Sequence, residues 1–120
     1  MELHFVHKSD SGQVAVVGVL VEAVEDGGLE IPVYTLPNRE GEMVAYSGYR
    51  NLADFLPKSR DYFLYDGSFT TPPCTEDVKW VVMKQTLRAS PELIARFRAI
   101  LQSNNRPVQP RNGRPIEESR

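Results

Sequence analysis

The sequence predicts a mainly β domain of the α+β kind, with one helix on its C-terminal side at about residues 90–101. Three observations carry this. Short runs rich in Val, Phe and Tyr recur between clusters of Gly, Pro, Ser and Asp, the pattern of strands separated by turns. A single stretch, following Ser90, places apolar residues at helical spacing. The chain has 120 residues, 41% of them hydrophobic, which is one domain's worth of chain with enough apolar material for a core.

Element by element, Glu2 to His7 alternates polar and apolar in part and reads as a strand. Ser9-Asp10-Ser11-Gly12 is a turn by composition. Gln13 to Glu22 (QVAVVGVLVE) is a Val-rich run between turn residues; it reads as a strand buried on both faces, paired with the first as an antiparallel hairpin. Gly18 inside it marks a bulge or a close approach to the backbone. Val24 to Arg50 holds Gly27-Gly28, Pro32, Pro37 and Gly41 and reads as mostly loop, since Pro32 removes a backbone bond from any helix near Leu29. Asn51 to Pro57 is one helical turn ended by the proline, and Tyr62 to Tyr65 is a short strand. Gly67 to Cys74 is no regular element, and Val78 to Leu87 (VKWVVMKQTL) is a strand by its β-branched and aromatic content. Ser90-Pro91-Glu92 opens the helix, with Ser as N-cap, Pro at the first helical position and an acid in the first turn. Leu93, Ile94, Phe97, Ile100 and Leu101 give it one apolar face. Asn104 to Pro115 is polar and proline-rich, hence extended or looped.

Charge and composition exclude several classes. A formal net charge of −2 with no basic stripe argues against nucleic acid as partner. The longest apolar stretch, Val14 to Val21, is strand-length and far short of the ~18 residues of a membrane span. The N-terminus shows no basic-then-apolar lead of a secretory signal. A lone cysteine, Cys74, allows no disulfide within the chain.

Three constellations could carry chemistry. Glu2, His4 and Val6 are two apart on a strand and share one face, while His7 points the other way. A carboxylate beside an imidazole orients a metal-binding histidine; a sheet-face histidine simply hydrogen-bonded to its neighbour gives the same pattern. Ser68-Phe69-Thr70-Thr71-Pro72-Pro73-Cys74 is a stiff, non-helical segment whose hydroxyls can both donate and accept, suited to holding a nucleophile; a rigid turn with no further role is the alternative. Asn104-Asn105-Arg106-Pro107-Val108-Gln109-Pro110 reads by composition as a surface tail, although its amide and guanidinium donors could pin it to the core.

Taken in order, Met-Glu-Leu-His-Phe-Val-His-Lys, Ala15 to Val19, Tyr65 to Cys74, Val78 to Lys84 and Asn104 to Pro110 resemble the C-terminal half of an α-class carbonic anhydrase of the bacterial type, over Glu2 to about Pro115. The resemblance implies part of that family's large, twisted, mostly antiparallel sheet, and makes residues 1–120 a single partial domain. It implies zinc as cofactor, carbon dioxide and bicarbonate as substrates, and the reversible hydration of one to the other. In such enzymes three histidines hold the metal, which activates water, and carbonic anhydrase is itself the standard example of this chemistry. Carried over to this chain, His4 resembles the third zinc ligand and Glu2 the carboxylate that orients it. Thr70 resembles the gatekeeper whose hydroxyl accepts a hydrogen bond from the zinc-bound hydroxide and aims it at carbon dioxide. Thr71 resembles the neighbouring threonine at the pocket rim. Val6, Val16, Phe69 and Trp80 match the apolar wall where carbon dioxide rests, Phe69 replacing the commoner leucine. Asn104 matches a position whose backbone carbonyl supports another zinc-binding histidine. A cis bond between Pro72 and Pro73 is common in the family. Pro32 falls where relatives carry a helix.

The resemblance also implies what is absent. The family's first two zinc ligands sit in a His-x-His strand upstream, where the glutamate partner of the gatekeeper and the proton-shuttle histidine also lie, and this chain has two histidines in all. One copy therefore supplies one family-type ligand, and the chain is expected to be truncated, with Met1 an internal methionine, and inactive alone. Half a sheet leaves unpaired edges that invite pairing with the missing N-terminal half or self-association. In relatives the position of Cys74 is bridged to the missing half, which implies a periplasmic or secreted parent. A non-catalytic carbonic-anhydrase-like interaction module is the alternative from another class.

Overall fold

The computed structural model describes residues 1–29, 37, 39, 41–45, 48 and 51–119. Its first hairpin follows from the alternation and the turn. β1 (Glu2–Lys8) pairs antiparallel with β2 (Val14–Ala23), His4 opposite Gly18 and Val6 opposite Val16. Between them the Ser9 amide donates to the Gln13 carbonyl at 2.9 Å, and Gly12 turns through a left-handed φ of 86° that its missing side chain permits.

β2 is the hub. It pairs parallel with β4 (Glu76–Met83) and, farther along, parallel with β5 (Leu87–Ala89). β4 pairs antiparallel with β3 (Tyr62–Ser68), which pairs antiparallel with β6 (Glu117–Glu118). The strand order is β1-β2-β4-β3-β6, with β5 beside β2. The sheet is mixed and, as expected, mostly antiparallel: the β1–β2, β3–β4 and β3–β6 ladders are antiparallel, and the two parallel ladders both involve β2. That is why β2 carries a near-continuous valine run. Val16 is buried on one face, with Val78 and Trp80, while Val19 and Val21 are buried on the other, with Met83 and Ala89.

Three boundaries differ from the sequence expectation. The run predicted as one strand to Leu87 divides at Lys84–Thr86, where polar side chains turn to other elements: the Lys84 amide donates to the Asp61 carbonyl at 2.8 Å and the Gln85 side chain accepts from the Ser59 amide at 2.7 Å. β3 runs on to Ser68, past the predicted end at Tyr65, with a register shift between Gly67 and Ser68. β6 was not foreseen; two residues are too few to leave a pattern, and it is anchored by the Ser119 hydroxyl accepting from the Tyr62 amide at 2.7 Å.

The single turn at Leu52–Phe55 is a 3-10 helix whose cap is Asn51. The stretch around Pro32 lies outside the described residues. The predicted helix is α1 (Pro91–Leu101), its first turn capped by the Ser90 hydroxyl accepting from the Leu93 amide at 3.2 Å. None of its residues is fully buried. Residues 102–116 are extended or looped, as expected, but they are no free tail. An Arg106 guanidinium nitrogen donates to the Ser68 hydroxyl at 2.6 Å and one of Arg114 to the Asp66 carbonyl at 2.8 Å.

Candidate active site

The period of two puts Glu2 and His4 side by side on one face of β1. His4 Nε2 lies 3.2 Å from Glu2 Oε1. A carboxylate can only accept, so Nε2 carries the proton and Nδ1 is left with the lone pair. Among the described residues Nδ1 has no hydrogen-bond partner. Gly18, opposite His4, makes this pairing fit: a Cβ there would stand 2.8 Å from Glu2 Oε1. The close approach expected at Gly18 is thus to the Glu2 carboxylate. His7 faces away, exposed, with Nδ1 3.0 Å from the Phe5 carbonyl oxygen.

The hydroxyl segment leaves β3 at Ser68 and returns at Glu76. Its base is tied by the Phe69 amide donating to the Thr75 carbonyl and the Cys74 amide to the Thr71 carbonyl, both at 2.9 Å. The Pro72–Pro73 bond is cis and Cys74 has a φ of 56°. Two contacts from farther along the chain fix its root: Trp80 Nε1 donates to the Ser68 carbonyl at 2.9 Å, and Arg106 to the Ser68 hydroxyl. Thr70 is half-buried, and its hydroxyl has no partner among the described residues.

One cleft of about 720 Å³ brings these pieces together. Glu2, His4, Thr70, Thr71 and Asn104 all border it. The residues matched to an apolar wall do not border it. Val16 and Trp80 are 1% and 4% exposed and form a buried cluster against which Phe69 packs, while Val6 is 58% exposed beside Val16. The cleft's apolar lining is instead Leu20, the cross-strand partner of Glu2, with Ile94, Phe97 and Leu101 of α1, a role the sequence did not reveal because periodicity marks an apolar face but not what it confronts. Tyr65 stacks on Trp80 at 6.4 Å, and its phenol is pushed up from the ordinary value, first by burial and next by the Glu2 carboxylate, with Arg114 pulling it down.

An orienting acid, an imidazole with a free lone pair and an unengaged hydroxyl thus border one cleft. The family model for eukaryotic-type carbonic anhydrase matches residues 1–120. The chain belongs to the carbonic anhydrase family. It is 40% identical to a carbonic anhydrase of Nostoc sp., over 99% of this chain and 46% of the relative, and 40% identical to one of Klebsiella pneumoniae, over 98% and 49%. Among solved structures, the α-carbonic anhydrase of Photobacterium profundum superposes with a TM-score of 0.87 at 38% identity, covering 96% of this chain and 54% of that one. That of Thermovibrio ammonificans, solved with the inhibitor sulfanilamide, gives 0.86 at 37%, covering 96% and 52%. The chain thus spans about half the length of the carbonic anhydrases it matches.

The described donors meet part of what zinc, the metal such a family implies, requires. His4 fits as one ligand: its ring is oriented by a carboxylate and its free nitrogen is unengaged. A second and third do not follow, since no group of three His, Cys, Asp or Glu among the described residues could hold a metal. By themselves these residues do not make the three- or four-ligand site that zinc requires.

Proposed function

We propose that this chain is the C-terminal half of a zinc-dependent carbonate dehydratase, which hydrates carbon dioxide to bicarbonate once the remaining ligands are supplied from outside these residues. The observation that carries it is the convergence of Glu2, His4 and Thr70 on one cleft. Support for incompleteness is the single fitting ligand together with relatives twice as long.

Zinc, when bound, supplies the Lewis acidity that makes water a nucleophile at neutral pH. The chain's own groups have narrower tasks. Glu2 holds the proton on His4 Nε2, so that Nδ1 is presented as a donor in one tautomer and one orientation. Thr70, on a segment tied at its base, offers an oxygen that can accept one hydrogen bond and so favour one orientation of a nucleophile. Phe69, Val16 and Trp80 form an apolar backing behind the Thr70 segment, with exposed Val6 beside Val16, and this dry side suits an uncharged substrate such as carbon dioxide although none of the four lines the cleft itself. Asn104 borders the cleft where a further ligand would need support. If half-buried Cys74 is bridged to a cysteine outside these residues, as the family resemblance implies, the whole protein belongs to an oxidising compartment, periplasmic or secreted. A purely structural interaction module would have no use for an oriented imidazole sharing a cleft with an unengaged hydroxyl.

The test is carbon dioxide hydration by the chain with zinc, alone and after mixing with the N-terminal half of a full-length relative. No turnover alone and turnover in the mixture, abolished by His4→Ala, is the expected outcome. Full turnover by the isolated chain contradicts the incompleteness. A zinc-dependent doubling of mass in sedimentation would show self-association instead, and tight partner binding unaffected by Thr70→Ala would favour the interaction module.

A further inference from the structure

We infer that Trp80 is a positioning residue that couples the His4 imidazole to the hydroxyl-bearing segment, its indole acting as one rigid body between them, and that Gly67 provides the space it needs. Trp80 sits on β4, with Val16 of β2 and Tyr65 of β3 as its register partners. Its side chain reaches past both neighbours. At one end, a Cβ on Gly67 would stand 2.9 Å from Cδ1 and 3.2 Å from Nε1; at the other, a Cβ on Gly18 would stand 3.5 Å from Cζ3. The indole therefore spans from the glycine of β3 to the glycine of β2 that faces His4.

Each end touches a different part of the site. Nε1 donates to the Ser68 carbonyl at 2.9 Å, two residues before Thr70. The ring meets the His4 ring edge-on, with centroids 4.9 Å apart and planes at 77°. The indole is 4% exposed and stacked on Tyr65 with an interplanar angle of 7°, so it has no room for another rotamer. A planar body held on its face and anchored at one end transmits a tilt to its other end. Trp80 thus keeps the imidazole and the Thr70 segment in register, which a buried floor residue need not do. The importance of His4 and Thr70 rests on the proposed function; the coupling does not, because it involves no metal.

Gly67→Ala provides the test. Position 67 is on β3, with β4 and β2 lying between it and the strand of His4; the added Cβ would also stand 3.2 Å from Tyr65 Cε2, so the Trp80→Phe background is what separates a route through the indole from one through Tyr65 and Glu2. The readout is the ring signals of the two histidines in the metal-free chain at fixed pH by NMR. His7, on the opposite face of β1, is the internal reference. The expected result is a shift of the His4 signals with His7 unmoved, accompanied by weakened Overhauser contacts between indole and His4. The same Gly67→Ala change made in a Trp80→Phe background, which lacks the Nε1–H and the second ring, should no longer move His4. Unmoved His4 signals in Gly67→Ala, equal shifts of both histidines, or a His4 shift with its indole contacts intact overturns the coupling, and the last readout stands even if the double variant fails to fold. Absence of zinc binding would leave this result untouched and count only against the proposed function.

Discussion

Gly18→Ala separates stability from site geometry. The added Cβ would lie 2.8 Å from Glu2 Oε1, closer than real contacts allow, but 3.5 Å from Trp80 Cζ3 and 3.6 Å from Val82 Cγ2, which is ordinary packing. Only the Glu2 carboxylate must move, and it is the far end of a flexible side chain, 37% exposed. Removing a glycine from a strand returns about 0.5–1 kcal/mol of backbone entropy. Losing the hydrogen bond to His4 costs about 0.5–1.5 kcal/mol. The two nearly cancel, so the unfolding free energy should change by less than about 1 kcal/mol. His4, by contrast, should lose its tautomeric preference, because nothing then holds the proton on Nε2. Urea unfolding combined with ring ¹⁵N shifts reads both. Gly27→Ala is the control: its Cβ would lie 2.2 Å from the Ala89 carbonyl carbon, a backbone atom that cannot yield, so a loss of about 3 kcal/mol or more is expected. A large destabilisation by Gly18→Ala with unchanged His4 nitrogen shifts would refute the assignment of Gly18 to the Glu2–His4 pair.

Two further outcomes follow from the structure. Ser90→Ala removes the acceptor for the Leu93 amide and should lower stability by about 1 kcal/mol, seen as reduced helical circular dichroism on mild heating; an unchanged melt would contradict the cap. Tyr65 has its phenol raised in the folded state by burial and by Glu2, so its stabilising contribution is complete below the unfolded value of about 10 and is lost as pH rises through the higher folded value. Tyr65→Phe should accordingly flatten the decline of urea stability above about pH 10, and a decline as steep as in the unsubstituted chain would contradict the burial of that hydroxyl.

What was legible in the sequence was local. The period of two placed Glu2 and His4 on one face and His7 on the other, the Ser-Pro-Glu start fixed α1, and the double proline marked the irregular segment. The valine run declared β2 buried on both faces but not why; the parallel pairings with β4 and β5 are long-range and leave no local mark. For the same reason the break at Lys84–Thr86 was hidden, since its polar residues look like strand residues until Asp61, Ser59 and Glu118 are brought across from elsewhere. Gly67 drew no notice inside Asp66-Gly67-Ser68, where a glycine reads as a turn; only the indole lying over it shows its use. Arg106 was one donor among several in a polar stretch, and its tie to Ser68 became visible only once the segment was seen against the sheet.

The central claim is that His4, and not His7, is one corner of a zinc site that this chain leaves incomplete. Zinc titration of the isolated chain, followed at both imidazoles by NMR, tests it most directly. Weak binding that perturbs His4 Nδ1, spares His7 and disappears in His4→Ala is the predicted result. Tight binding by the chain alone, or binding that survives His4→Ala, would contradict it.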